Sequence, residues 1–235
     1  MKILKRVTIG ILVLVLVLGI LVASRFIGDG YQLYQNALKQ QDLESKVNEI
    51  RQSSNYTTID EMPEMYLKAV IAAEDHRFQY HNGIDVIAIV RSTWNNLVAG
   101  SIQEGGSTIT QQLAKNLYFT QEKQFTRKIA EMFMAFRIER TYTKTEILEL
   151  YVNSIYFGDG YYCVRDASQG YFGIDPAEMT DYQSTLLAGI PNAPSIYSLS
   201  KNPQLAKQRQ KEVIRKMLEQ EYITEDEAQA ILNDA

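Results

Sequence analysis

The chain is poor in the residues that staple or interrupt a fold. Its single cysteine, Cys163, excludes an intrachain disulfide and gives no indication of redox compartment. Five prolines in 235 residues leave long stretches free to stay helical. Few segments alternate apolar and polar with period two, so strands have little support. Neither an internal repeat nor a low-complexity tract is present. The two histidines, His76 and His81, are five apart, the wrong spacing for two ligands on one zinc-binding helix face. An excess of positive charge is also missing: the net charge is −4, which leaves a nucleic-acid role without electrostatic support. Gly105-Gly106 is not followed by Gly-Lys-Ser/Thr, so it is no Walker loop. Ser198-Leu199-Ser200-Lys201 has Ser-x-x-Lys spacing, but no Lys-Thr-Gly follows and the match is one of chance.

What is present is enough chain for one good-sized domain plus attachments. Lys2, Lys5 and Arg6 precede eighteen uncharged residues, 7–24, dense in Leu, Val and Ile, and Arg25 follows. At about 1.5 Å per residue such a helix spans most of a hydrocarbon core of about 30 Å. The leading cations favour an inside N-terminus. A cleavable signal peptide is the rival, but its apolar core is normally shorter, and Ala23-Ser24 is a weak exit. The expected organisation is a cytoplasmic tail at 1–6, a transmembrane helix at 7–24, a stalk or linker at 25–55 and the main domain at 56–235. Gly28-Asp29-Gly30 is expected to break the anchor helix, and Tyr31, Tyr34 and Leu38 give residues 31–52 a helical spacing. Ser53-Ser54-Asn55 marks the boundary. Beyond it the pattern is all-α. Thr143 with Glu146 and Thr224 with Glu227 form capping boxes, and Ser107 or Thr108 is placed to cap a helix running through Lys115. Residues 158–162 and 191–194 read as loops.

Glu74 follows Leu67, Val70 and Ile71 at minus seven, minus four and minus three, and so continues the apolar face of its helix. Partial desolvation raises a carboxylate pKa, as a general base near neutral pH requires. A buried acid paired with a core arginine such as Arg91 fits the same pattern, and the residues leave both readings open. On the helix expected at about 125–141, Ile129, Met132, Phe133 and Phe136 form the expected core stripe, and Arg127, Lys128 and Glu131 cluster on the other side. Those charges read either as solvated surface pairs or as a site; Ala135 and Ile138 on the same side argue against a fully exposed face. Lys115, Lys123, Arg127 and Lys128 are together suited to holding a pyrophosphate.

At this point the residues resemble a family. Glu74-Asp75-x-x-Phe78-x-x-His81-x-Gly83-x-Asp85 is similar to the first motif of the peptidoglycan glycosyltransferases of family 51, the transglycosylase domain of penicillin-binding proteins. Gly106-Ser107-Thr108-Ile109-Thr110-Gln111-Gln112-x-x-Lys115-Asn116 resembles the second and Arg127-Lys128-x-x-Glu131 the third. Lys144-x-x-Ile147-Leu148-Glu149-x-Tyr151-x-Asn153 and the run from Leu187 to Ser195 resemble the fourth and fifth. The resemblance implies a mostly helical, lysozyme-like fold. It implies polymerisation of lipid II with inversion at the anomeric carbon, undecaprenyl pyrophosphate leaving. Carried over, Glu74 takes the 4-hydroxyl proton of the acceptor GlcNAc, and Glu131 lies near the donor. Lys115, Arg127 and Lys128 contact the pyrophosphate; Ser107, Gln111, Gln112 and Asn116 line the cleft.

No cofactor is required by this reading, although a divalent cation, Mg or Mn, at the pyrophosphate is compatible with it. The expected partners are lipid II, the growing glycan strand, membrane lipid and other cell-wall synthesis proteins, with no nucleic acid. The expected location is the cell membrane, with the catalytic domain outside. The resemblance places residues 91–105, with Trp94, Leu97, Val98 and Ile102, beside the membrane, where a mobile loop dipping into the bilayer is expected, core burial being the alternative that the periodicity fits equally.

Two positions depart from the family. Lys123 stands where Arg is common, which keeps the charge but loses the bidentate fork. Cys163 stands where Gly is usual, and would strain the turn if a positive φ were needed there. Because the chain stops after this region, it resembles the monofunctional class. The competing functions are a lysozyme-like glycan-cleaving enzyme, which also uses a Glu in a helical cleft, and an inactive membrane scaffold.

Overall fold

The computed structural model describes residues 2–101, 105–119 and 124–234, with side chains from residue 8 onward apart from that of Gln124. The regular elements among them are helical, α-helices with short 3₁₀ turns, as the scarcity of proline and of period-two alternation predicts. Helix α1 (Lys2–Gln40) is long and apolar enough to cross a membrane, and its side chains from Thr8 to Asp29 are exposed. The expected break at Gly28-Asp29-Gly30 does not occur: α1 runs through it. Gly30 is buried against Ile129, so close approach to another helix outweighs the poor helix propensity of glycine.

The segment expected as a stalk is not free-standing. Asp42 starts α2 (Leu43–Arg51) by accepting the Ser45 N–H at 2.9 Å. Tyr34 and Ala37 of α1 and Leu43 and Val47 of α2 are buried in the same core as the rest of the chain. Full burial of a side chain like Val47 stabilises the fold by about 1.5 kcal/mol.

The remaining helices build two walls. Helix α3 (Glu64–Glu74) packs against α9 (Asp181–Gly189) and, beyond the short α10 (Pro194–Tyr197), against α11 (Pro203–Glu219). Helix α5 (Ile109–Tyr118) packs against α6 (Gln124–Thr141) and α7 (Lys144–Val152). Tyr66, Phe78, Leu113, Met134, Tyr151 and Leu187 fill the interior. The expected capping boxes at Thr143 and Thr224 are present, joined by one at Thr180. The cap of α5 is Thr108, not Ser107: its hydroxyl accepts the Gln111 N–H while the Gln111 side chain takes the Thr108 N–H, each at 3.1 Å.

Two expectations about faces change. On α6 the core side carries Ala130, Glu131, Met134, Ala135 and Ile138, whereas Ile129 and Phe133 are half-buried and meet α1, and Phe136 is exposed. Both sides of α6 are covered, one by the domain and one by the anchor helix, so the more apolar stripe does not mark the core. The segment at 91–105 is not a loop through Ala99. Helix α4 (Val86–Ala99) is capped by Asp85, which accepts from Ile87 and Ala88, and ends on left-handed Gly100 at φ 65°. It exposes Val86, Val90, Trp94, Leu97 and Val98, and Ile102 lies outside the described residues.

Cys163 sits at φ −150°, an extended backbone that any residue adopts, so no strain arises there. It caps helix α8 (Val164–Phe172), and burial pushes its thiol up to about 11, which leaves it inert as a nucleophile at neutral pH.

In the loop at 158–162, Asp159 accepts hydroxyl hydrogen bonds from Ser198 at 2.5 Å, Ser200 at 2.6 Å and Tyr171 at 3.0 Å. The two serines and Tyr171 lower its carboxyl from 3.8 to about 2. A depressed acid contributes stability that is present above its unfolded value and lost as pH falls through the folded one. The difference in thermal midpoint between the protein and Asp159→Asn is therefore expected to shrink as pH drops from 3.8 towards about 2. A difference independent of pH in that window contradicts the charge-based account.

Candidate active site

A cleft of about 1300 Å³ lies between the C-terminal end of α3, the N-terminal end of α5, the first turns of α6 and one face of α11. That exceeds the roughly 300–1,000 Å³ typical of small-molecule pockets, and suits an extended substrate. Glu74 closes α3, where the helix meets the cleft. Its Oε2 accepts from the Gln112 amide at 2.7 Å, and Gln112 in turn accepts from the Tyr151 hydroxyl at 3.2 Å. Its Oε1 is buried and has no hydrogen-bond partner among the described residues. One oxygen orients the carboxylate and the other is left to accept from a ligand. The core-arginine alternative is not seen: the oxygen bond recorded for Glu74 is to Gln112, not to a guanidinium. Tyr151 is fully buried; that burial, with the charge of Glu74 nearby, raises its phenol well above 10 and keeps it a neutral donor.

The next residue fixes the geometry. Buried Asp75 accepts from His81 Nε2 at 2.8 Å and from the Ile109 N–H at 3.0 Å, joining the end of α3 to the start of α5. His81 Nδ1 lies 3.2 Å from the Gly83 N–H and accepts from it, so the network assigns the proton to Nε2. Gly83 takes φ 94°, and an added Cβ would meet the Ala135 backbone at 3.1 Å. His81 is thus a structural residue, and among the described residues no group of three or more His, Cys, Asp or Glu is placed to hold a metal.

On the opposite wall Glu131 is only 2% exposed, with Arg127 Nε 3.0 Å from Oε1 and Lys128 Nζ 3.0 Å from Oε2. The Arg127 contact lacks hydrogen-bond alignment, so it is a charge contact that a ligand oxygen can replace. Lys128 also donates to Ser107 Oγ at 2.6 Å. With Oε1 facing Arg127 and Oε2 facing Lys128, Glu131 has no oxygen left over for a divalent ion.

The structure brings Glu74, Ser107, Gln112, Lys115, Arg127, Lys128 and Glu131 into this cleft. It places Gln111 elsewhere, buried as the partner of Thr108 in the capping box of α5, and half-buried Asn116 is not part of the wall. Lys123 lies outside the described residues. The far wall was not found from sequence. Arg209, Arg215 and Lys216 reach it from α11, Arg215 being paired with Glu212 and Glu219. Lys216 donates at 2.7 Å to the carbonyl of Ala73, in the last turn of α3, where carbonyls lack intrahelical partners. It thereby steadies the turn that presents Glu74. Nothing local to Lys216 in the sequence marks this long-range contact. His76 also lines the cleft, its imidazole pKa lowered by burial and then by the Arg91 charge.

Comparison with known proteins gives concordant results. The transglycosylase family model matches residues 32–218, beginning inside the segment expected as a stalk. Penicillin-binding protein 1A of Neisseria cinerea is 46% identical over 183 residues, 78% of this chain and 23% of that protein. Penicillin-binding protein 1A of Aquifex aeolicus is 47% identical over 178 residues, 76% of this chain and 24% of that protein. The chain therefore spans about a quarter of the length of these relatives. The crystal structure of penicillin-binding protein 1A from Haemophilus influenzae is similar over 77% of this chain and 17% of that one, with 22% identity and a TM-score of 0.46. With a family model covering most of its length, the chain belongs to the transglycosylase family.

Proposed function

We propose that this protein is a membrane-anchored peptidoglycan glycosyltransferase that polymerises lipid II. The observation that carries the reading is the buried Oε1 of Glu74, without a partner among the described residues, in a cleft whose other wall holds Lys115, Arg127 and Lys128. Glu74 takes the proton from the 4-hydroxyl of the acceptor GlcNAc as that oxygen bonds to the anomeric carbon of the donor. The anomeric carbon–oxygen bond breaks at the same centre, and the electron pair leaves on undecaprenyl pyrophosphate. A single displacement inverts the anomeric carbon. Lys115, Arg127 and Lys128 stabilise the charge growing on the leaving group. Glu131 holds Arg127 and Lys128 in register, and Ser107 and Gln112 orient Lys128 and Glu74.

Lys2, Lys5 and Arg6, ahead of the apolar run of α1, favour a cytoplasmic N-terminus and an outer catalytic domain. A lipid-borne donor fits an enzyme with an apolar helix at its start better than glycan cleavage does, and cleavage has no need of a cation cluster. Incubating the protein with purified lipid II separates the readings. Polymer is expected; fragments from preformed glycan support a cleaving enzyme, and neither product supports an inactive scaffold.

The exposed apolar residues of α4 belong to the same reading, as a surface resting on the membrane beside the cleft. Trp94, the only tryptophan, is 65% exposed and reports on it directly. In liposomes containing brominated lipid the Trp94 fluorescence is expected to be quenched. Unquenched emission from membrane-inserted protein removes α4 from the bilayer.

A further inference from the structure

We propose that Gly30 is a positioning residue: it sets the register between the anchor helix and α6, and through α6 the placement of Arg127, Lys128 and Glu131 in the cleft. The inference rests on the assignment of those three residues to the leaving group. Helices α1 and α6 form the most extensive helix pair among the described residues. Phe26 meets Phe125 edge-on at 5.0 Å between ring centroids, and Phe133 meets Tyr31 at 5.2 Å and Tyr34 at 5.9 Å. The contact thus starts at the exposed apolar part of α1 and continues to the buried Tyr34.

Gly30 lies between these ring contacts, and its absent side chain makes the approach possible. A Cβ there would stand 2.5 Å from Ile129 Cγ2, 2.6 Å from Ile129 Cβ and 3.2 Å from the Thr126 carbonyl oxygen. Ile129 has little freedom to yield, because a β-branched side chain in a helix has one strongly preferred χ1 rotamer, and one of the clashing atoms is its own Cβ. The helices must therefore separate or slide. Ile129 is two residues after Arg127, one after Lys128 and two before Glu131, so a shift at this contact moves the cluster that faces the cleft. Gly28 is the internal contrast. It stands on the same helix with nothing within 4 Å of its added Cβ. A glycine in the interior of a helix against its propensity calls for a local reason, and of the glycines of α1 only Gly30 has one in contact.

The test compares Gly28→Ala, Gly30→Ala, Ile129→Gly and the double variant Gly30→Ala/Ile129→Gly. All are made in the full chain in liposomes, with turnover on lipid II, affinity for inorganic pyrophosphate and thermal midpoint measured. Gly30→Ala is expected to lower turnover by about tenfold or more, since ångström-scale misplacement of reacting groups costs up to about 10²-fold. The variant is expected to remain folded and to bind pyrophosphate more weakly. Gly28→Ala should keep wild-type turnover. In the Ile129→Gly background, adding Gly30→Ala should change turnover less than about twofold, the non-additivity of residues in contact. Independent, additive losses overturn the proposal, as does equal loss in Gly28→Ala, or a loss that only tracks the unfolded fraction. Should Gly30→Ala alone fail to fold, the double variant must recover both folding and turnover; no recovery overturns it. If the unmodified protein binds pyrophosphate without polymerising lipid II, the function fails while weakened pyrophosphate binding in Gly30→Ala still upholds the register. If it polymerises and Gly30→Ala is unaffected, the register fails and the function stands.

Discussion

Glu74→Gln is expected to lower lipid II polymerisation by about 10²–10⁴-fold, the usual worth of positioned acid–base catalysis, with lipid II still bound. The substitution is nearly isosteric. The Gln carbonyl can keep the hydrogen bond from Gln112, now made to Glu74 Oε2 at 2.7 Å. The amide nitrogen then occupies the place of the unpartnered Oε1 and presents donors where the acceptor hydroxyl needs a base. Shape survives and basicity does not, so the loss falls on turnover. Initial rates at saturating lipid II, set beside direct lipid II binding, make the distinction. Near-normal turnover in Glu74→Gln removes this residue from the mechanism.

The second large effect is expected at the cations. Lys115→Met and Lys128→Met keep the apolar stem and delete the charge. A fixed charge aimed at an atom that gains negative charge stabilises the transition state more than the ground state. Loss of one such partner typically costs about 10²–10³ in turnover. Turnover is therefore expected to fall further than lipid II affinity. Lys115, exposed at the cleft wall, gives the cleaner reading. Lys128→Met also strips a partner from Glu131 and from Ser107, so its effect combines lost charge with lost order. Arg127→Lys should cost activity as well, because the fork is replaced by a point charge. If the Met variants lose only affinity, with turnover at saturating lipid II unchanged, these residues anchor substrate and do not assist the leaving group.

The helical class was legible in the sequence because it rests on local signals, whereas the residue pattern left Glu74 and Glu131 open between structural pairs and a site, and only the motif resemblance drew them together. Capping boxes such as Thr143 with Glu146 lie within four residues, and Glu74 follows directly from the stripe before it. What was misread depends on partners distant in the chain. Gly28-Asp29-Gly30 reads as a helix breaker by propensity, yet the contact of Gly30 with Ile129 keeps the helix running. The stripe Ile129, Met132, Phe133 and Phe136 is the more apolar side of α6, but α1 meets it at Ile129 and Phe133, while the smaller Ala130 and Ala135 face the interior. Gln111 carries the polar chemistry of a cleft residue but is consumed in capping α5. Lys216 and Arg209 became visible only when α11 was folded back onto α3.

The most direct measurement follows the stereochemistry and stoichiometry of the product. The purified protein is supplied with lipid II; the released undecaprenyl pyrophosphate is counted against new glycosidic bonds, and the configuration at each new anomeric carbon is read by NMR. One undecaprenyl pyrophosphate per bond, with inverted configuration throughout, is the predicted result. Retained configuration, or bond cleavage in preformed glycan without pyrophosphate release, contradicts it.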